Sequence, residues 1–246
     1  MKWVGIGLAI AITFCILFLI LAPARFVVQR IDPNQQFLRE ATGTIWVGQV
    51  NTYHRTALLG HVAWQAKPAS LLRGKIAYSL EYIGHGVSLE AETERGWSTL
   101  SVVLNGQIDP QAINLILSHY EMDITGSLEI QDLSISLTDD GVINLAEGEI
   151  HWAGGSVHYG LGSNVHQTRL PAMVGRFHKQ NGGIQLTISE GERELMLMTA
   201  MYDPATGEIA ISASNRLVVL ADAPWLTKGE ESDIAFTVYE KLFEPD

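Results

Sequence analysis

Period-two alternation of apolar and polar residues runs through most of this 246-residue chain. Leu128-Glu129-Ile130, Leu133-Ser134-Ile135-Ser136-Leu137, Ile184-Gln185-Leu186-Thr187-Ile188 and Ile209-Ala210-Ile211 each place apolar side chains on one face, the signature of a half-buried antiparallel strand. Gly84-His85-Gly86, Asn105-Gly106, Asp139-Asp140-Gly141, Asn181-Gly182-Gly183 and Pro204-Ala205-Thr206-Gly207 carry turn chemistry between such runs. Strand and turn recur roughly every ten to fifteen residues, which predicts a mainly β, antiparallel domain. Two internal stretches look helical and open alike, at Ile31-Asp32-Pro33 and Ile108-Asp109-Pro110. In each, the aspartate suits a cap and the proline suits the first helical position, so each predicts one short helix.

A different pattern occupies the N-terminus. Trp3 to Ala22 contains no charged residue, and about twenty apolar residues at ~1.5 Å rise match a ~30 Å hydrocarbon core. The segment predicts a transmembrane anchor over residues 1–25, followed by a β-rich domain over residues 26–246. A cleaved signal peptide is the alternative, since Lys2 is basic and Ala22-Pro23-Ala24 has small residues flanking one position. The run is longer than the ~7–15 residues of an ordinary signal core, and proline is unusual inside a cleavage site. Charge leaves the orientation open. Lys2 flanks one end and Arg25, Arg30 and Arg39 the other, but a long C-terminal domain can be translocated past a few arginines. Within the anchor, Gly5, Ala9 and Thr13 form a small-residue stripe at i, i+4, i+8, a candidate for helix–helix contact.

Charge and cysteine content narrow the domain's chemistry. The only charged side chains among residues 1–30 are Lys2, Arg25 and Arg30, so the rest carries 13 basic and 27 acidic side chains, net −14. Such a surface repels nucleic-acid backbones and anionic headgroups. The single cysteine, Cys15, lies in the anchor. This excludes a disulfide scaffold, a cysteine–zinc site and a thiol nucleophile from the domain.

The matched Ile-Asp-Pro openings suggest a duplication. Thr42-Gly43-Thr44 and then Trp64 follow the first; Thr125-Gly126-Ser127 and then Trp152 follow the second. Later pairs run at growing offset, including Gly86-Val87-Ser88-Leu89 with Gly183-Ile184-Gln185-Leu186. The candidate repeats span residues 31–107 and 108–211, two similar β units in series.

Candidate chemistry is sparse. His151 and His158 bracket Gly154-Gly155, where a hairpin would bring them together, yet no metal-binding spacing accompanies them. Gly154-Gly155-Ser156-Val157-His158 lacks the closing glycine of a nucleophile elbow, and no phosphate-binding loop follows any strand. No catalytic, cofactor-binding or metal-binding residue is therefore assigned. Trp46, Trp64, Trp97, Trp152 and Trp225 are spread along the domain as packing residues or, alternatively, as the lining of an apolar groove. Trp46, Trp64 and Trp152 are the interaction candidates.

Thr42-Gly43-Thr44-Ile45-Trp46-Val47-Gly48-Gln49 resembles the Gly-Thr-aliphatic-Trp-x-Gly signature of the type II secretion system protein N family, also called general secretion pathway protein N. Trp64-x-x-x-Pro68-x-x-Leu71-Leu72-x-Gly74, Gly148 to Gly155, and Leu170-Pro171 with Gly175 are similar to later blocks of that family. The resemblance implies a single-pass protein of the bacterial inner membrane with its β-rich domain in the periplasm. It also implies an accessory, non-enzymatic part in moving folded proteins to the exterior, without cofactors. Kinship with AsmA-like proteins implies a curved sheet with an apolar inner face. Two function classes follow: a tethered scaffold that contacts other secretion subunits through sheet edges or the acidic surface, and a hydrophobic groove that handles lipid or an apolar segment.

Overall fold

A computed structural model describes residues 21–161, 164–191, 193–223, 225 and 228–241. The predicted anchor up to residue 20, with Gly5, Ala9 and Thr13, lies outside the described residues. Among the described residues no helix is long and apolar enough to cross a membrane. The chain divides into two compact units, residues 1–85 and 86–246. The repeat boundary read at residues 107/108 falls inside the second unit.

In the first unit, helix α1 (Ala24–Ile31) precedes strands β1 (Leu38–Gly43), β2 (Val47–His54), β3 (Ala57–Ala66) and β4 (Ile76–Gly84). The strands pair antiparallel in chain order. Pro23 caps α1, and Ala24 and Val28, one turn apart, are buried. Ala22 is already tied to this unit, its C=O accepting from Ile45 N–H at 2.9 Å, so the last residues of the anchor as bounded by sequence belong to the β unit's framework.

The helix predicted after Ile31-Asp32-Pro33 instead lies before it. Proline disfavours α geometry in the residue preceding it, and Asp32 accordingly sits at φ −126°, ψ 79°, ending α1. Its buried carboxylate accepts N–H groups from Gln36 (3.1 Å), Phe37 (2.7 Å) and Leu38 (2.8 Å), folding the chain into β1 rather than capping a helix. The Leu38 N–H above all, with those of Phe37 and Gln36 and the charge of Arg39, outweighs burial and lowers the Asp32 pKa. A carboxylate whose folded pKa is lowered stabilises the fold above its ordinary pKa of ~3.9, and that contribution is lost as pH falls through the folded value. Asp32→Ala is therefore expected to lower the urea midpoint at pH 7. The gap from the unsubstituted chain should close as pH drops below about 4; a gap independent of pH would refute the assignment.

The second unit runs β5 (Val87–Arg95), β6 (Thr99–Ile108), α2 (Pro110–Leu117), β7 (Met122–Ile124), β8 (Leu128–Thr138), β9 (Ile143–Trp152), β10 (Gly155–Leu161), β11 (Asn164–Leu170), β12 (Met173–Gln180), β13 (Gly183–Glu190), β14 (Met196–Asp203), β15 (Glu208–Ser214), α3 (Asn215–Leu220) and β16 (Ile234–Lys241). Within it β5-β6-β8-β9-β12-β13-β14-β15-β16 form one antiparallel sheet and β11-β10-β7 a smaller one. Here Asp109-Pro110 does open a helix, with Pro110 at its first position.

Asn105-Gly106, expected as a turn, lies inside β6. Gly106, at φ +156°, pairs in register with Leu89 of β5 and faces a β-bulge in β8, where Asp132 has φ +48°. Asn105 Oδ1 accepts the N–H of Asp132 at 2.7 Å and ties β6 to that bulge. The Asn-Gly pair thus accommodates an extra residue in the neighbouring strand without reversing the chain. Gly154-Gly155 likewise makes no hairpin, because β9 and β10 belong to different sheets.

Candidate binding face

Register converts the alternating pattern into two opposite surfaces of the nine-stranded sheet. Leu89, Gly106, Ile130, Ile150, Gly175, Ile188, Met198, Ala213 and Phe236 are successive cross-strand partners from β5 to β16. The adjacent row, pointing the other way, is Gln131, Glu149, Arg176, Thr187, Thr199, Ser212 and Thr237. Side chains alternate between faces along a strand, so one face of the sheet is a sheet-wide apolar surface and the other is polar.

At one end the apolar face is covered. α3 and the small sheet are joined there by Tyr159 O–H donating to Ala221 C=O (2.8 Å) and Thr168 O–H donating to Leu220 C=O (2.9 Å). Burial and the Asp222 charge push the Tyr159 phenol up. Ile130, Trp152, Val157, Leu197, Ala213 and Val218 are buried. Asn114 of α2 closes the same end, its amide bonding both N–H and C=O of Ile124 at 2.9 Å.

Away from this cap the face has little cover. Ile143 and Ala146 are buried, but Phe177, Leu186, Ala200 and Ile211, partners in one row, are only half-buried. An ordinary domain covers an apolar sheet face with a second layer; the half-burial of this row shows that among the described residues its cover is incomplete. The uncapped end finishes in hairpin tips carrying the Arg95–Asp139 ion pair, Trp97 (90% exposed) and Val142.

The polar face is internally satisfied. Arg176 Nε–H donates to Glu149 Oε1 at 2.9 Å, and His151 Nε2 lies 2.9 Å from Glu149 Oε2. Arg176 first, then His151, hold the Glu149 carboxyl below the usual carboxylate range. The histidines do not assemble: His158 instead meets Asp123 at 2.8 Å and is separated from His151 by the change of sheet. Among the described residues no group of three or more His, Cys, Asp or Glu could hold a metal ion. An open groove of about 430 Å³ on this face, lined by Ser88, Glu90, Asn105, Gln107, Glu129 and Asp132, lies over the β8 bulge.

Of the tryptophans singled out by sequence, Trp64 and Trp152 are each hydrogen-bonded inside their own unit. Trp64 Nε1–H donates to Thr44 C=O at 3.1 Å, and its ring lies against Gly48, where a Cβ would collide with it. Trp152 Nε1–H donates to Thr125 C=O at 3.0 Å. Both act as fasteners between a strand and a Thr-Gly or Gly-Thr turn, one in each unit. Trp46 is half-buried in the β1–β2 connection. An apolar sheet face was expected from the sequence, but not which residues share it. Its signal was present as repeated alternation, but assigning the runs to a common side requires the strand order.

No curated protein and no solved structure matches this chain. The model of the family described as type II secretion system (T2SS), protein N, matches residues 34–224, well over half of the sequence, and the chain therefore belongs to that family.

Proposed function

We propose that this component of type II secretion is a non-enzymatic contact module, held at the bacterial inner membrane by residues 1–25 with residues 26–246 in the periplasm. Its working surface is the apolar face of the nine-stranded sheet. The carrying observation is that Phe177, Leu186, Ala200 and Ile211 form an apolar row that is only half-buried among the described residues. Exposed contiguous apolar surface is costly in water and marks a place where another molecule sits. Other secretion subunits are the expected occupants.

A second reading, in which the face holds lipid acyl chains, is supported by its polarity along the strands. The face is capped at one end by α3 and the small sheet, while the other end carries Trp97 and charged hairpin tips, as an amphiphile with one polar end would require.

A photoreactive side chain placed at Ile135 or Leu186 in the intact envelope should give adducts, whereas Ser136 and Gln185, on the opposite face, should give none. A polypeptide of the secretion apparatus in the adduct supports the first reading and a phospholipid the second. Absence of adducts from the apolar face would overturn both. Protease treatment of spheroplasts tests the orientation: degradation of the domain is expected, and full protection would reverse it.

A further inference from the structure

We infer a second interaction surface at the border of the apolar face: the outer edge of β16, suited to an extended segment of another polypeptide that is apolar at alternate positions and basic at its ends. All eight residues of β16 are exposed, and among the described residues no strand pairs with its outer side. The strand displays Ile234, Val238 and Tyr239, which are 59%, 51% and 66% exposed.

Proteins usually blunt such an edge by making it short, or with proline, inward charge or a covering loop. Here the edge is long and lacks proline, and Lys241 at its end is the only lysine on it. It is also firmly held. Asn215 donates to Lys228 C=O (2.8 Å) and Glu230 C=O (2.9 Å), and Asn215 N–H donates to Asp233 C=O (2.8 Å). An ordered edge loses little entropy when another strand joins it, and its unpaired N–H and C=O groups supply main-chain bonds.

Charge selects the occupant. Glu230 and Asp233 precede the strand and Glu240 lies near its end, against Lys228 and Lys241, while Glu231 is paired with Arg216. A second copy of a chain with net charge −11 would meet this acidic edge with its own. A segment with basic ends is attracted instead. β16 lies beyond residues 34–224, the stretch that the family model matches.

The test uses the full chain in detergent and a synthetic peptide of alternating valine and threonine with a lysine at each end. Binding measured by calorimetry should weaken by about tenfold or more when the peptide's lysines become glutamates, and similarly when its amides are N-methylated. It should also weaken with added salt. Val238→Lys combined with Tyr239→Lys should abolish binding while leaving the thermal midpoint nearly unchanged, as both positions are exposed. Equal binding of the glutamate or N-methylated peptide, or no binding at all, would overturn the inference. So would concentration-dependent self-association lost in the same double variant, which would make a second copy the occupant.

Discussion

Trp152→Ala is expected to destabilise the second unit by about 3–5 kcal/mol, the usual range for truncating a buried tryptophan. The residue is 8% exposed and lies where the nine-stranded sheet hands the chain to the small sheet. It is flanked by its cross-strand partners Leu128 and Met173. Truncation would leave a cavity at that junction and also remove the donor to Thr125 C=O. With an ordinary urea slope of ~1–3 kcal/mol per molar, the midpoint should fall by more than about 1 M. Trp152→Phe separates the two contributions, since it keeps most of the ring but strands the carbonyl, at a cost of about 1–3 kcal/mol. Trp97→Ala, at a position 90% exposed, should change stability by less than about 0.5 kcal/mol. Equal effects at Trp97 and Trp152 would contradict the placement of the cap.

Arg216→Met is expected to cost about 3–5 kcal/mol, because removing one member of a buried ion pair leaves the other charge uncompensated. Arg216 Nη2 lies 3.3 Å from Glu190 Oε2, with side chains 16% and 10% exposed, while its second partner, Glu231 at 3.5 Å, is 60% exposed. Pairing with the exposed Glu231 contributes little; the penalty comes from Glu190. The double variant Arg216→Met with Glu190→Gln should therefore recover most of the loss, and a double-mutant cycle should give a coupling above about 1 kcal/mol. Additive effects would mean that the pair is not coupled in solution. Because Arg216 lies on α3, which holds the segment before β16, the single variant should also weaken peptide binding at that edge.

β8 illustrates how far the architecture is legible in the order of residues alone. Leu128 and Ile130 alternate in one phase and Leu133, Ile135 and Leu137 in the other. A straight strand cannot bury both sets on one side, because a one-residue slip exchanges the faces. The structure resolves the conflict with the bulge at Asp132, after which all five face the same way. The two Asp-Pro steps show the opposite case. Local chemistry permits a helix on either side of each, and the chain uses the preceding side at Asp32 and the following side at Asp109. The choice at Asp32 depends on its three amide partners up to Leu38, which local propensity does not weigh. Trp64 and Trp152 were similarly noticeable as large amphipathic residues, yet their Nε1–H groups are committed to threonine carbonyls 20 and 27 positions earlier in the chain.

By itself, the sequence determined the β character, most of the turns, the acidic thiol-free domain and the sorting of each strand into an apolar and a polar side. These follow from backbone geometry and composition, which act over a few residues. The tertiary structure decided which apolar sides share one surface, how far a cap covers it, and that β16 is the last strand of the sheet among the described residues. Those outcomes depend on pairings such as Met198 with Ala213 and Ala213 with Phe236. Whether an apolar row becomes a core or a binding face depends on what lies above it, and that is set by the path of the whole chain.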